Sequence, residues 1–411
     1  PVSEEVQARR KSALEWIEAA QAWFRRQLAT PAGEEARAYL ERRGLSARDM
    51  ETFGLGFAPD RRRGLVDALT QKGAHVAELE EAGLVIVPED GGPAYDRFRG
   101  RVMFPIEDAR GRLVAFGGRA LSKDVRAKYL NSPETSLFHK GSLLYRYPQA
   151  RAFANDPKVK ARGLIVAEGY MDVIAFARAG LGHAVAPLGT ALTESQLKLL
   201  WRAGSEPLIC LDGDSAGTRA AATAAERALP LLEPGKTLRF VFLPEGADPD
   251  DLLREHGPKA LKEAVASPKP LIDVIWEREL AVEPLDDPDR RAGFRKRLRA
   301  LAAKIADPDV KAEYRAEFDL RLEQLFARAR PARTGAGPGW RSGPGKRFGP
   351  PPGPSGELRR VRKAERAHPT ARQMIAACVE FPHIAEAHAE MLAEMSFGPL
   401  DSLRDAILDA C

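Results

Sequence analysis

Residues 163–214 read GLIVAEGYMDVIAFARAGLGHAVAPLGTALTESQLKLLWRAGSEPLICLDGD. Three short apolar runs in this stretch, GLIVAEG, AVAPLG and PLICLDGD, alternate with segments of helical spacing near residues 172–181 and 193–203. A third helical segment at 215–230 leads to a further apolar run, TLRFVFLP. Buried strands that alternate with helices are typical of parallel βαβ units. The pattern therefore predicts an α/β domain with a parallel sheet.

Acidic clusters accompany these strands, and two of the three clusters directly follow a predicted strand. Their carboxylates belong to Glu168, Asp172, Asp212, Asp214, Asp248 and Asp250. Because ligand sites of doubly wound sheets lie at the carboxyl ends of the strands, we expect these side chains to converge on one crevice. So many carboxylates repel one another unless cations hold them, and Mg²⁺ prefers oxygen ligands. The clusters therefore predict metal-dependent phosphoryl or nucleotidyl transfer.

Local spacing in the first cluster places two carboxylates near the same cavity. Gly169 is expected to let the backbone turn sharply after the strand, which leaves Glu168 at the mouth of the sheet. Asp172 is expected to face the same cavity from the first turn of the following helix. A plain acidic residue at a helix start is the alternative interpretation of Asp172.

The two Asp-x-Asp clusters are predicted to share one local geometry. Asp212 and Asp214 are two residues apart in an extended segment, so both side chains should project from the same face. Asp248 and Asp250 are expected to repeat this arrangement, with Asp251 as a helix cap. An Asp-Gly turn with a helix cap would explain only one aspartate of the first pair, and the second loop taken alone is ambiguous.

Composition bounds the class of protein. The 411 residues are 44% hydrophobic, which is enough for a sizeable core in about two to four units. No apolar run approaches the roughly 18 residues of a membrane span, and the N-terminal segment PVSEEVQARRKS is too charged for a signal peptide. Cys210, Cys378 and Cys411 lie far apart, without metal-ligand spacing. These observations favour a cytoplasmic protein with no membrane partner.

Positive charge is concentrated in one region, although the whole chain carries a net charge of only +5. Residues 97–146 hold eleven lysines and arginines against four acidic residues. Such a patch suits phosphate backbones or nucleoside triphosphates, and Tyr129, Phe138 and Tyr145 are available for base stacking. A solvated surface without a ligand is the alternative interpretation.

The segments that flank the α/β block have different patterns. Helical spacing over residues 3–29 and 33–43 precedes runs at 84–120 that predict antiparallel or mixed sheet. Residues 251–329 are predicted to be helical, with only short interruptions at Pro258, Pro268 and Pro288. Residues 331–356 are so rich in proline and glycine that they predict a disordered basic linker. Helical spacing of apolar residues then resumes in Met374, Ile375, Cys378, Val379, Ile384, Met391 and Met395.

Several motifs together resemble a known superfamily. EGYMDVIAF, LDGDSAG and ADPDDLL look like the metal-binding motifs of the toprim fold, which bacterial primases share with type IA and II topoisomerases and some nucleases. Within that superfamily the chain resembles bacterial primases over about residues 1–330. RFRGRVMFPI, AFGGRAL, KYLNSPET and FHKGSLLY, at residues 97–145, are similar to the basic N-terminal subdomain of those enzymes.

This resemblance implies a DNA-templated RNA polymerase that makes short RNA primers on single-stranded DNA by two-metal nucleotidyl transfer. Mg²⁺ or Mn²⁺ would be bound by the six carboxylates, and the catalytic ones would be Glu168, Asp212 and Asp214. Template and ribonucleoside triphosphates would contact Arg97, Arg99, Arg119, Lys128, Tyr129, Asn131 and Lys140. The resemblance also implies a monomeric core, a place in the bacterial replisome, and a replicative helicase that binds the C-terminal domain.

Bacterial primases begin with a zinc-ribbon domain, whereas this sequence has no cysteine before Cys210. Zinc is therefore expected only in a domain missing from this chain, which is expected to be a fragment that ends inside the helicase-binding domain. Two rival functions stay open. One is another toprim enzyme that breaks phosphodiesters, and the other is a non-catalytic clamp on nucleic acid.

The predicted fold class is α/β, with a toprim parallel-sheet subdomain flanked by a basic α/β subdomain and a helical subdomain. The expected divisions are a basic N-terminal subdomain at residues 1–155, the toprim metal-binding subdomain at 156–255, the helical subdomain at 256–330, the linker at 331–366, and the start of a helical helicase-binding domain at 367–411.

Overall fold

The structure is a computed structural model. It describes residues 4–122, 124–125, 127–159, 161–189 and 191–327, with the backbone alone at 4–10 and 327. Of the C-terminal segment it describes residues 374, 375, 378, 388, 392, 393, 395, 397 and 400–408. The chain divides into two compact units, Pro1–Pro331 and Ala332–Cys411. Several positions named above lie outside the described residues. They are the predicted linker and the separate residues Lys123, Arg126, Val379, Ile384 and Met391.

The first part of the larger unit is an antiparallel sheet with five helices around it. The helices are α1 (Glu4–Ala29), α2 (Glu34–Arg42), α3 (Ala47–Thr52), α4 (Gly64–Thr70) and α5 (Val76–Glu81). The strands are β1 (Gly56–Ala58), β2 (Val85–Ile86), β3 (Tyr95–Asp96), β4 (Arg101–Glu107), β5 (Leu113–Ala120) and β6 (Tyr129–Asn131). The sheet has the order β1-β4-β5-β6, and all its pairs are antiparallel, while β2 pairs with β3.

Helix α1 packs its apolar stripe on this sheet. Ile17, Ala20 and Phe24 recur at three- and four-residue spacing and are fully buried. The ring of Phe24 meets that of Phe116 on β5 edge to face, with centroids 5.2 Å apart. Burial of a large side chain such as Ile17 or Phe24 contributes about 1.5–3 kcal/mol. The stripe therefore fixes α1 against the back of the sheet.

The second part is the parallel sheet that the sequence predicts. Its helices are α6 (Tyr147–Ala154), α7 (Tyr170–Arg178), α8 (Glu194–Ala203), α9 (Ser215–Ala228) and α10 (Pro249–Ala264). Its strands are β7 (Ile165–Val166), β8 (Ala184–Val185), β9 (Leu208–Leu211), β10 (Arg239–Phe242) and β11 (Lys269–Pro270). The order is β11-β10-β9-β7-β8, in which β10, β9, β7 and β8 are parallel neighbours. The predicted α/β class and parallel sheet are confirmed.

Three more helices, α11 (Leu271–Leu280), α12 (Pro288–Ala303) and α13 (Pro308–Ala327), complete the larger unit. The predicted interruption of the helices at Pro268 is occupied by β11, which pairs antiparallel with β10. Pro268 and Pro270 disfavour helix there, and the open edge of β10 supplies hydrogen-bond partners to an extended segment. Ion pairs of Glu226 on α9 with Arg278 on α11 and with Lys304, just beyond α12, join these helices to α9.

The two sheets meet directly. The ring of Tyr170, at the start of α7, lies against the backbone of Gly117 on β5, where a Cβ atom would come within 2.3 Å of the tyrosine hydroxyl. The Tyr170 hydroxyl donates to Asn131 Oδ1 at 2.7 Å, and the Asn131 amide donates to the Leu188 carbonyl at 3.0 Å. Because only glycine leaves room for the tyrosine, residue 117 fixes the distance between β5 and α7.

Described residues of the smaller unit form a local apolar cluster of Ile375, Cys378, Leu392 and Phe397. Helix α14 (Asp401–Leu408) is the helix described there. Met395 is 37% exposed, although its spacing predicts the apolar face. Across the described part of the chain, no helix combines the length and the apolar character needed to traverse a bilayer.

Candidate functional site

A cleft of about 340 Å³ lies between the carboxyl edge of the parallel sheet and strand β6. Four predicted metal ligands line it, namely Glu168, Asp172, Asp212 and Asp248. Three predicted nucleic-acid contacts line the opposite side, namely Lys128, Tyr129 and Asn131. The cleft therefore brings together residues from both predicted sets.

Glu168 and Asp212 follow neighbouring parallel strands, β7 and β9. The backbone amide of Asp212 donates to Glu168 Oε1 at 3.3 Å, so the two carboxylates lie side by side. The loop after Asp212 is compact because Gly213 and Gly217 carry no side chain. A Cβ atom at either position would come within 2.2 Å of a carbonyl oxygen, that of Leu243 or that of Asp212.

Mutual repulsion perturbs the carboxylates of the cleft. Burial, together with the charges of Glu168 and Asp248, raises the pKa of Asp212 to about 7. Burial and the charges of Asp248 and Asp212 raise the pKa of Asp172 well above its ordinary value. Crowded carboxylates of this kind become fully ionised when a cation neutralises them. The oxygen-only donor set and its crowding fit a hard divalent ion such as Mg²⁺.

Asp172 belongs to the first turn of α7, as predicted, and it both lines the cleft and caps the helix. Its carboxylate accepts a hydrogen bond from the backbone amide of Gly169 at 2.9 Å. The chain bends at Glu168 and Gly169, as predicted. Gly169 has φ −142° and ψ −178°, an extended conformation open to any residue, so this bend does not depend on the conformational freedom of glycine. The exposure of Glu168 comes from its position at the end of a short strand.

The second Asp-x-Asp loop differs from the first. Asp248 is the N-cap of α10 and accepts from the amide of Asp251 at 2.6 Å, while Pro249 takes the first helical position. Asp250 thus lies in a helical turn, and the predicted extended arrangement of this pair was wrong. Asp251 was predicted to be the helix cap. Instead, its backbone amide donates to the side chain of Asp248, which is the cap. Carboxylate oxygens of Asp248, Asp250 and Asp251 lie within 4.8 Å of one another.

Arg43, just beyond α2, is a residue of the cleft that the sequence did not indicate. Its guanidinium lies 2.5 Å from the buried carboxylate of Asp250 and 3.6 Å from that of Asp251. Burial raises the pKa of Asp250, and the hydrogen bond from Arg43 opposes this shift. Arg43 is one of two adjacent arginines in ERRGLS and lies 207 positions from its partner, so the sequence carries no signal for this contact.

The first loop uses its second aspartate as a cap. Asp214 is the N-cap of α9, accepts from the amide of Gly217 at 2.7 Å, and is exposed outside the lining of the cleft. Asp212 is half-buried and lines the cleft. The structure therefore separates two carboxylates that the sequence predicts as one face.

The predicted basic residues occupy different environments. Lys128 and Tyr129 are at the cleft, and Arg119 stacks on the ring of Tyr39, 4.1 Å from its centroid, where Tyr39 also lines the cleft. Arg99 is exposed and lies over the ring of Tyr95 at 5.3 Å. Arg99 and Arg119 therefore lie outside the lining of the cleft.

Two other predicted contacts have structural partners. The Arg97 guanidinium donates to the backbone carbonyl of Asn131 at 3.0 Å. The backbone of Lys140 bonds to Glu134 and Gln196, while its side chain is exposed. Neither residue lines the cleft, and the hydrogen bonds of Asn131 make it a positioning residue for strand β6.

Comparison with known proteins matches both halves of this site. Residues 23–151 match the family model of the DNA primase catalytic core N-terminal domain, and residues 165–253 match a toprim-like model. The solved structure of a DnaG primase catalytic domain bound to single-stranded DNA is 38% identical and has a TM-score of 0.69. The alignment covers 77% of this chain and 97% of that domain.

The chain belongs to the bacterial DNA primase family. A primase domain from Pseudomonas aeruginosa is 39% identical with a TM-score of 0.69, over 77% of this chain and 96% of that domain. The DNA primase of Escherichia coli K12 is 38% identical over 328 residues, which are 78% of this chain and 55% of that protein. The chain thus spans about half the length of this primase.

Proposed function

We propose that this chain synthesises short RNA primers on single-stranded DNA from ribonucleoside triphosphates. One observation carries the proposal. A single cleft holds the carboxylates Glu168, Asp212 and Asp248 on one wall and Lys128 and Tyr129 on the other. Carboxylates on oxygen-ligand metals activate a 3′-hydroxyl, whereas a cation and an aromatic ring hold a triphosphate and a base. The cleft offers both functions in one cavity.

Glu168, Asp212 and Asp248, with Asp172 behind them, would hold divalent metal in this cleft. A metal bound there would supply charge neutralisation for the triphosphate and would lower the pKa of the attacking hydroxyl. Asp214 and Asp250 remain predicted ligands. In the structure their carboxylates are occupied by the amide of Gly217 and by Arg43.

Protein groups around the cleft would orient the substrates. Lys128 would neutralise phosphate oxygens, and Tyr129 would stack on a base. Asn131 would keep β6 at the correct distance from α7 through its bond to Tyr170. The template would continue over the basic surface that includes Arg99 and Arg119, which is consistent with the related catalytic domain solved with single-stranded DNA.

Further partners are proposed from the family alone. Mg²⁺ or Mn²⁺ would serve as metal, and a replicative helicase would bind the C-terminal domain at the replication fork in the cytoplasm. The smaller unit of this chain would contribute to that contact.

An assay on the full chain tests the proposal. The protein is incubated with single-stranded DNA, labelled ribonucleotides and Mg²⁺, and in parallel with supercoiled plasmid. We expect short labelled RNA and an unchanged plasmid. Cut or relaxed plasmid would indicate another toprim enzyme, and DNA binding without either product would indicate a clamp. Asp319→Asn on the exposed face of α13 serves as a matched control for substitutions in the cleft.

A further inference from the structure

A second cavity, of about 180 Å³, lies between α1, the end of α3, β4 and the start of α6. Its walls include Gln21, Phe53, Glu107, Tyr145 and Gln149. It shares no lining residue with the acidic cleft. The proposed function therefore leaves this cavity unexplained.

Unsatisfied polar atoms are concentrated around this cavity. Among the described residues, five buried side-chain atoms lack a hydrogen-bond partner, and Gln21 Oε1, Gln149 Oε1 and the Tyr145 hydroxyl are three of them. Buried polar atoms without a partner are rare and cost about 1–3 kcal/mol each. All three belong to residues that line this one cavity. Tyr145 is only 1% exposed.

The chemical identity of the two amide atoms is fixed by their neighbours. Gln21 Nε2 donates to the Gly54 carbonyl at 2.6 Å, and Gln149 Nε2 donates to Glu107 Oε2 at 2.6 Å. Rotating either amide by half a turn would place its oxygen against another oxygen. The unpartnered atoms are therefore acceptors, which a donor group of a ligand or a water molecule would satisfy.

Charge and backbone geometry also set this cavity apart. No lysine or arginine among the described residues comes within ion-pair distance of the half-buried Glu107. The Arg146 guanidinium, which also lines the cavity, is stacked on the ring of Phe53, 4.4 Å from its centroid. Arg146 is the non-glycine residue with positive φ, 59°, in the described chain. Such backbone strain is found at ligand sites.

The Tyr145 hydroxyl is a neutral group at physiological pH. Burial raises the pKa of Tyr145 to about 12; the positive charge of Arg146 opposes this shift, and the negative charge of Glu107 adds to it. The hydroxyl can therefore both accept and donate a hydrogen bond, and it has no partner for either among the described residues.

We propose that this cavity binds a small molecule through a primary ammonium group. An ammonium carries three N–H donors and one positive charge. Gln21 Oε1, Gln149 Oε1 and the Tyr145 hydroxyl supply three acceptors, and the Glu107 carboxylate supplies the opposite charge. A quaternary ammonium has the charge without the donors, and K⁺ has neither donors nor the same shape. These two cations are therefore the discriminating controls.

The experiment uses the full chain in Mg²⁺ buffer at constant ionic strength. Methylammonium is titrated against the melting temperature and by calorimetry, with tetramethylammonium and K⁺ in parallel; putrescine tests a longer ligand. We expect a saturable rise of the melting temperature with methylammonium that the two control cations do not produce. Equal shifts with all three cations, or no saturable shift, would leave a water-filled cavity and overturn the proposal.

A matched pair of variants assigns the site, because the acidic cleft also attracts cations. Tyr145→Phe removes the unpartnered hydroxyl, and Tyr147→Phe removes a hydroxyl bonded to the Leu199 carbonyl, outside the cavity. We expect Tyr145→Phe to weaken methylammonium binding about tenfold and Tyr147→Phe to leave it unchanged. Equal affinity of Tyr145→Phe and the natural chain would place the ammonium elsewhere. Gln149→Leu provides a second test if Tyr145→Phe fails to fold.

Discussion

The loops Asp212-Gly213-Asp214 and Asp248-Pro249-Asp250 share an Asp-x-Asp pattern but use their aspartates in opposite order. In the first loop the second aspartate caps the following helix, and the first lines the cleft. In the second loop the first aspartate is the cap, and the second is buried against Arg43. The middle residue accounts for the difference. Proline begins a helix at once, whereas Gly213 allows two more residues of close backbone packing before α9 starts.

This difference teaches that identical spacing of carboxylates does not imply identical chemistry. Asp212 lies among like charges, and its environment disfavours its ionised form. Burial raises the pKa of Asp250 as well, but here a guanidinium at 2.5 Å opposes the shift, and no such partner among the described residues faces Asp212. We therefore expect removal of charge to cost activity in the first loop and stability in the second.

The largest effect should come from Asp212→Asn. This change removes a charge from the cleft where the metal is proposed, so primer synthesis should fall by on the order of 1,000-fold, equivalent to several kcal/mol of lost charge stabilisation. Binding of single-stranded DNA should be nearly unchanged. Primer yield on bare template measures the loss, with Asp319→Asn as the control. A rate near that of the natural chain would remove Asp212 from the site.

The second effect concerns the free energy of unfolding. Asp250→Asn and Arg43→Met should each lower it by about 2–3 kcal/mol, since each leaves a buried polar or charged partner without its ion pair. Urea denaturation of both single variants and the double variant measures the coupling. Additive effects of the two changes would show that the pair is not coupled and would break the distinction between the loops.

The third effect has the opposite sign and depends on pH. The pKa of Asp212, raised to about 7, means that the folded protein binds this proton more tightly than the unfolded chain. Without divalent metal, the free energy of unfolding should therefore fall as pH rises from about 4 to about 7. Asp212→Asn should recover about 1–2 kcal/mol at pH 8. Melting curves in EDTA test this. Identical pH profiles of variant and natural chain would contradict it.

A smaller effect is expected on the basic side of the cleft. Lys128→Ala and Arg99→Ala should each reduce the slope of log affinity against log salt by roughly 0.7 for single-stranded DNA. Neither change should alter the free energy of unfolding measurably, unlike Arg43→Met. Unchanged slopes for both variants would mean that the basic patch is a solvated surface.

The smallest expected effect follows removal of the smaller unit. A chain that ends near Arg330 keeps both aspartate loops and the basic sheet, and it should make primers at an unchanged rate. Primer yield of this truncation is compared with that of the full chain on bare single-stranded DNA. A large loss would show that the smaller unit takes part in catalysis.

The sequence predicted the features that depend on local pattern. Alternating apolar runs gave the parallel strands β7, β9 and β10, and Glu168 and Asp212 were assigned to one edge because strand ends of a parallel sheet converge. The same reasoning failed at Asp250, because the helix-initiating effect of Pro249 outweighed the extended spacing. Side chains two positions apart point to the same face only when the backbone between them is extended. The Asp-x-Asp pattern alone does not ensure an extended backbone, because a proline in the middle starts a helix.

Long-range contacts were beyond the sequence. Nothing in the sequence distinguishes Arg43 from the other arginines, yet in the structure it pairs with Asp250. Asn131 and Arg97 were predicted to contact the template or a nucleotide. In the structure Arg97 donates to the backbone of Asn131, and the Asn131 side chain bonds to Leu188 and Tyr170. Pairing of this kind depends on how whole sheets are packed together, and a single chain without aligned relatives contains no record of it.

Recombination between related chains provides a different view of the contact between Gly117 and Tyr170. These two residues lie in separate halves of the larger unit, yet any side chain at 117 would overlap the tyrosine hydroxyl. A chimera that joins one N-terminal half to another parallel-sheet half must therefore inherit both residues together, or replace the tyrosine whenever residue 117 gains a side chain. Whether two halves can be exchanged therefore depends on which residues they carry at positions 117 and 170.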